Sequence, residues 1–393
     1  MALRSMNELD VRGKRVLLRE DLNVPMDGTR VADYTRIDAA LPTLRALHDR
    51  GARTIVLSHL GRPDGTPDPK YSLRPVAHAL SERLGLPVAF ANDSVGPEAQ
   101  AAVAALHDGD LLLLENVRFH AGEERNDPSF VAQLAALGDV YINDAFGTAH
   151  RAHASTEGLA HALPHAAGLL MQGELDALRR LTDHPSKPFV CAIGGSKVAD
   201  KIGVFTHLIE LVDAFCVGGG MANTFLAAEG VPVGKSLRDA DLQPARDILQ
   251  LARRRGVALH LPIDAVTGSG LDDPSPRTVS TVAVAANDMI LDIGPASAKA
   301  YANAIERAKT IVFNGPMGVY EKPAFRAGTQ VVGDAIARAT QRGALSVVGG
   351  GDAAAAAHML GFADRVSHVS TGGGATLEYL EGRVLPGVAA LES

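Results

Sequence analysis

Phe189-Val190-Cys191-Ala192-Ile193-Gly194-Gly195-Ser196-Lys197-Val198-Ala199-Asp200-Lys201 is the stretch that decides the fold. Five apolar residues in a row read as a strand buried on both faces. A glycine pair ends the run, and an amphipathic segment, 202–212, follows it. A strand, a glycine turn and a helix in that order expose backbone N–H groups at a helix start, which suits a phosphate. Lys197 and Lys201 are spaced i and i+4 and are predicted to share one face of the emerging helix.

The same pattern recurs on both sides of this stretch. Strands are predicted at 16–18, 54–58, 111–115 and 140–143 in the first half. In the second half they are predicted at 189–193, 214–217, 258–261, 289–293, 310–314, 345–348 and 366–370. Apolar strands alternating with helical patterns specify parallel sheets covered on both faces, an α/β fold. A chain of 393 residues exceeds one ordinary domain. The expected architecture is therefore two doubly wound parallel-sheet (Rossmann-like) lobes joined by a helical hinge. The polar segment 182–188 holds Pro185 and Pro188 and marks the boundary. The lobes are placed at 1–171 and 188–374, with the hinge at 172–187. The tail 375–393 is expected to pack back on the first lobe.

Bulk composition excludes several classes. A hydrophobic fraction of 46% and a charged fraction of 21% are those of a globular chain. A net charge of −7 weighs against general nucleic-acid binding. Cys191 and Cys216 each lie in an apolar strand and read as buried thiols of a reducing compartment. No apolar stretch reaches the roughly 18 residues that span a membrane, and Asn7, Glu8 and Asp10 do not fit a signal peptide. The expectation is a cytoplasmic chain with neither a membrane nor a nucleic-acid partner.

In open α/β sheets, ligands are bound just past the strand C-termini. The first half places a basic set there: Arg36 after Tyr34-Thr35, His59 and Arg62 in 58–63, then Arg118 and Arg151, with Asp21 and Asn23 in 19–25. Arginine binds phosphate and carboxylate through a planar fork. A lone loop arginine is usually just solvated, but several at one sheet edge form an anion site. The second half instead offers glycine loops at 194–197, 218–221, 314–316, 349–352 and 371–374. Asp352, at a helix start, suits either an N-cap or one oxygen ligand for Mg2+. Segment 230–236 approaches a phosphate-binding P-loop but has one residue too few between its glycines. His150, His153, His161 and His165 cluster without a cysteine, and Pro164 breaks their helical spacing, so they do not read as a zinc site. One half thus suits a small anion and the other a nucleotide, which points to phosphoryl transfer.

Segments 19–25, 34–44, 57–63, 114–126, 143–156, 194–202, 218–226, 234–237, 313–321, 349–352 and 370–382 together resemble the phosphoglycerate kinase family, in order, along essentially the whole chain. The resemblance implies reversible transfer of the acyl phosphate of 1,3-bisphosphoglycerate to Mg-ADP, giving 3-phosphoglycerate and ATP, a step of glycolysis. It implies that Asp21, Asn23, Arg36, His59, Arg62, Arg118 and Arg151 hold the triose. It assigns the nucleotide to Gly195, Lys201, Gly219, Gly294, Asn314, Glu321, Gly350, Gly351, Asp352 and Ala353, with Asp352 meeting Mg2+. It gives catalytic roles to Arg36, Lys197, Gly350 and Gly373, and implies a hinge-bending monomer. Ala353 stands where the family commonly has Thr or Ser, Gly173 where it often has Lys, and Ser196 where it often has Ala. Two rival readings remain. A dinucleotide dehydrogenase lacks support because no clean GxGxxG follows the first strand. A catalytically impaired homologue acting as a binding scaffold is opposed by the presence of Arg36, Lys197 and Asp352.

Overall fold

The computed structural model describes residues 3–392. The chain packs into two compact units: the first runs to Asp176 and takes in the C-terminal segment from Val384, and the second is Ala177–Arg383. The helix Leu169–Thr182 runs through the point of division.

The first unit is built on six parallel strands, in the order Val88–Ala91, Leu111–Leu114, Arg53–Leu57, Arg15–Arg19, Val140–Asn143, His165–Ala167. The central strands are apolar and buried along nearly their whole length; Leu111–Leu114 is four buried leucines. The two outer strands were not foreseen. Val88–Ala91 is an apolar but half-buried run, Val-Ala-Phe-Ala, that the strand reading above omits, and His165–Ala167 has three residues and opens on a histidine. Register fixes the site's layout: Arg19 lies level with Leu57 on one side and Asn143 on the other. The residues that follow, at 20–21, 58–59 and 144, therefore leave the sheet side by side.

The second unit carries six parallel strands in the order Ala258–His260, Ala214–Val217, Phe189–Ile193, Thr310–Asn314, Leu345–Val348, His368–Val369. In chain sequence this is third, second, first, fourth, fifth, sixth. The winding reverses between Phe189–Ile193 and Thr310–Asn314, where a doubly wound sheet opens a crevice for ligand. One expectation needs correction. Met289–Ile293 is a strand, but it joins a separate antiparallel sheet with Asp264–Gly268 and Arg277–Ser280. Those two partners are short and partly exposed, so they lack the apolar run of a buried strand. Cys191 and Cys216 are free and fully buried in neighbouring strands, and burial pushes both thiols up, Cys191 to about 12.

Candidate active site

In the first unit the strand ends gather positive charge round one acid. Asp21 accepts from the Arg36 guanidinium and from the backbone N–H of Asn23 at 3.3 Å, and His59 Nδ1 lies 4.0 Å from its carboxylate. Asn23 Oδ1 accepts from Gly61 N at 2.9 Å, and Gly61 O accepts from Arg118 Nη1 at 2.8 Å. Gly61 has φ +62°, and a Cβ there would stand 2.3 Å from the Tyr71 ring, so no other residue fits. Asn116 Oδ1 accepts from Arg118 N at 3.0 Å and fixes the turn that delivers the arginine. Arg151 is half-buried, close enough for its charge to act on Arg118 and His153. Arg62 is exposed in the loop beside this group.

The arginines crowd one another here, and the two imidazoles among them stay uncharged. Burial, then the charges of Arg19, Arg118 and Arg36, keep the His59 imidazole well below its usual range. Burial, then Arg118, Arg19 and Arg151, push His153 down to about 3. Burial lowers Arg118 too, with Glu124 opposing and Arg19 and Arg151 adding to the effect. Arg118 Nε pairs with Glu124 at 3.2 Å and Arg36 with Asp21, so acids offset part of this charge, and the remainder suits a multivalent anion.

Two members of this cluster escaped sequence reasoning. Arg19 is 1% exposed; its Nε donates to Ser155 Oγ at 2.7 Å, and its Nη2 lies 3.2 Å from His59 Nδ1. The available signal was a charge closing an otherwise apolar strand. His153 was read only as one of a histidine patch. Behind them, buried Glu123 accepts from Ser155 N at 2.9 Å and Ser155 Oγ at 2.6 Å; burial pushes its carboxyl up while Arg19 pulls it down.

In the second unit three loops meet backbone to backbone at the crevice. A Cβ on Gly194 would fall 1.9 Å from Pro316 O, and one on Gly219, itself at φ +63°, 2.7 Å from Gly195 O. Gly219 N donates to Met317 O at 2.9 Å and Met221 N to Gly195 O at 3.1 Å. Lys201 Nζ donates to Gly194 O at 2.7 Å and Asn314 O at 2.6 Å. The expected shared helical face of Lys197 and Lys201 is not what forms. Ala199–Lys201 is a 3-10 turn, the α-helix Ile202–Leu208 starts after it, and Lys201 breaks the geometry at φ −129°, ψ 15°. The amides of Val198 and Ala199 donate to Asp239 at 2.9 and 3.1 Å, which holds that turn. Lys197 thus precedes the helix, exposed, while Lys201 turns inward. Burial pushes the Lys201 ammonium down to about 8, against the opposing pulls of Cys191 and Asp352.

A cavity of about 460 Å3 adjoins these loops, a size that takes small ligands. Gly195, Gly219 and Asp352 line its polar end, Leu237, Met289 and Val319 its apolar wall, and Glu321 also borders it. Asp352 is exposed in the first turn of the helix Gly351–Met359, whose N-cap, Gly350, has φ +101°. Asn314 Nδ2 donates to Gly349 O at 2.7 Å, and its buried Oδ1 has no partner. Ala353 is 1% exposed within the hydrophobic core. Gly294 and Gly373 do not border this cavity. Gly294 packs on Asp264, whose carboxylate would lie 2.2 Å from a Cβ there. Gly373, at φ +51°, precedes the helix Gly374–Leu380. Sequence reasoning missed Asp292, which is 1% exposed in the cavity wall and accepts from Gly328 N at 2.7 Å and Ile293 N at 2.9 Å. Burial pushes it up to about 7.

The family model described as phosphoglycerate kinase matches residues 6–383. The phosphoglycerate kinase of Moorella thermoacetica is 53% identical over 393 residues, covering 100% of this chain and 99% of that protein. The phosphoglycerate kinase of Azorhizobium caulinodans is 54% identical over 391 residues, covering 99% and 98%. The solved structure of phosphoglycerate kinase from Coxiella burnetii superposes with a TM-score of 0.91 at 42% identity, over 100% of this chain and 99% of that one.

Proposed function

The chain belongs to the phosphoglycerate kinase family, and from that membership we infer that it catalyses reversible transfer of the acyl phosphate of 1,3-bisphosphoglycerate to Mg-ADP. The observation that carries the residue assignments is the division of site chemistry. One unit presents clustered arginines round Asp21, and the other presents glycine loops, a half-buried lysine and a cavity with an apolar wall.

We assign the triose to Asp21, Asn23, Arg36, His59, Arg62, Arg118 and Arg151, with Arg19 backing the cluster. The nucleotide falls to Gly195, Lys201, Gly219, Asn314, Glu321 and the 350–353 turn; Gly294 contributes by setting the wall through Asp264 rather than by lining the cavity. A β-phosphate oxygen of ADP attacks the acyl phosphorus. The bond from phosphorus to the carboxyl oxygen breaks, and 3-phosphoglycerate leaves as a carboxylate. The attacking oxygen is already an anion, so no general base is required; the work is positioning and charge neutralisation. Arg36 and Lys197 supply positive charge to the group in flight, aided by the backbone at Gly350 and Gly373.

Asp352 fits a magnesium ligand. Its carboxylate is exposed at the polar end of the cavity, and a nucleotide-bound Mg2+ takes one or two carboxylates with phosphate and water oxygens. When bound, Mg2+ offsets phosphate charge. We further propose that segment 172–187 acts as the hinge, that the chain works as a monomer, and that its two free buried thiols fit a cytoplasmic setting. The test is a coupled assay of ATP formation from ADP, Mg2+ and 1,3-bisphosphoglycerate. Turnover supports the assignment; none, in a folded chain that still binds both ligands, would make it a scaffold.

A further inference from the structure

At the other edge of the second unit's sheet, where its strands begin, lies a second cavity of about 920 Å3. Its floor is three strand entrances tied together. Lys309 N donates to Pro188 O at 2.8 Å, Thr310 Oγ1 to Ser186 O at 2.8 Å, and Leu345 N to Lys309 O at 2.9 Å. Lys187 and Lys309 are thereby set on neighbouring entrances. Arg180 comes from the last turn of the helix Leu169–Thr182, and His184, at φ +62°, from the turn that follows.

The charges in this cavity are unequally engaged. Lys187 is held by the Leu211 carbonyl and by Asp213 at 3.4 Å. Arg180 and Lys309 are exposed, and among the described residues neither has a carboxylate within ion-pair distance. Asp183 is the one acid among the described lining residues. The hydroxyl of Thr310 donates to Ser186 O at 2.8 Å, and that of Thr340 meets Ile336 O at 2.8 Å and Ser346 Oγ at 2.6 Å. Each keeps a lone pair that can accept. The lining thus offers two unengaged cations on separate elements, with hydroxyl acceptors beside them. A volume near the upper end of the roughly 300–1,000 Å3 of small-molecule sites exceeds what one phosphate needs.

We propose that this cavity binds a small molecule carrying two or more phosphate groups, one answered by Arg180 and another by Lys309. It is separate from the cavity bordered by Gly195 and Asp352, and it stands whatever the fate of the functional assignment above. Two sources share the chemistry: linked inorganic phosphates and a bisphosphorylated sugar, whose hydroxyls the threonine oxygens accept.

Calorimetric titration of the full chain without Mg2+ tests it, using inorganic tripolyphosphate in one arm and fructose 1,6-bisphosphate in the other. The Arg118→Ala/Lys197→Ala chain, impaired in the anion sites already described, retains one saturable event in at least one arm. The Arg180→Ala/Lys309→Ala chain weakens that event roughly 10- to 100-fold, as loss of charge-assisted hydrogen bonds does, and keeps the wild-type affinity for Mg-ADP measured separately. Should the double variant fail to fold by circular dichroism, Arg180→Gln and Lys309→Gln singly carry the same expectation in smaller measure. Tighter tripolyphosphate binding assigns linked phosphates, and tighter bisphosphate binding assigns the sugar. No saturable event in either arm, or equal affinity in the Arg180 and Lys309 variants, overturns the proposal.

Discussion

Lys201 donates its ammonium to the main-chain oxygen of Asn314 at 2.6 Å, across the two strands between which the second sheet reverses its winding. The same group reaches Gly194 O at 2.7 Å. A lysine so placed stitches the two strand ends together and points a cation into the crevice. Burial holds it near 8, below its ordinary value of about 10.4.

That position predicts proton uptake. At pH 8 the unliganded ammonium is about half ionised, and a phosphate beside it favours the charged form. Mg-ADP binding at pH 8 then takes up a fraction of a proton. Near pH 6.5 the group is already charged and contributes no uptake. Calorimetry in buffers of different ionisation enthalpy reads the difference. Lys201→Met abolishes the pH 8 component; uptake that survives in this variant assigns the proton elsewhere.

Arg118→Ala weakens 3-phosphoglycerate binding roughly 10- to 100-fold, the worth of a charge-assisted hydrogen bond. Arg118 is buried among like charges and positioned by Gly61 O and Asn116. Affinity for Mg-ADP stays at the wild-type value. A matching loss of nucleotide affinity would mean that the two ligands are assigned to the wrong units.

Lys197→Ala lowers kcat by roughly 10²–10³ and leaves both KM values nearly unchanged. Lys197 is exposed, precedes the helix and makes no side-chain hydrogen bond or ion pair among the described residues, so its charge is best spent on the transition state. Steady-state kinetics showing a rise in KM alone would remove it from the catalytic set.

The placement of much of this candidate site was legible in the sequence because a parallel sheet sets the residues past its strand ends at predictable places. Asp21, His59, Gly194 and Asn314 all follow or end apolar strands. What stayed hidden depends on tertiary contacts. Arg19 finds Ser155, 136 residues away, and no local pattern announces that pairing. Lys201 left the predicted helical face because the Gly194 and Asn314 carbonyls, together with Asp239 on the preceding turn, outcompete regular helix there. Asp292 looked like an ordinary strand residue, yet Gly318 and Gly328 have no room for a Cβ beside its carboxylate. The strand Val88–Ala91, Val-Ala-Phe-Ala, carries the same apolar signal as its neighbours although its place at the sheet edge leaves it half-buried.

Hinge action at 172–187 predicts a smaller radius of gyration with both ligands bound than with either alone. Acyl phosphate must be kept from water while the reacting atoms come to about 3–3.5 Å. Small-angle scattering on the apo, singly and doubly liganded chain measures it. An unchanged radius with both sites saturated argues against the hinge.

The central claim is that phosphoryl passes directly between a nucleotide and the carboxylate of 3-phosphoglycerate. It is tested by incubating the chain with Mg2+, 3-phosphoglycerate and ATP carrying 32P at the γ-position, then trapping with hydroxylamine. Acyl phosphate reacts with hydroxylamine and drives the transfer forward. The account predicts glyceryl-3-phosphate hydroxamate formed in step with ADP and released labelled phosphate, strictly dependent on 3-phosphoglycerate and slowed at least about 100-fold by Lys197→Ala. ATP hydrolysis without hydroxamate, or hydroxamate formed at the wild-type rate by that variant, would contradict it.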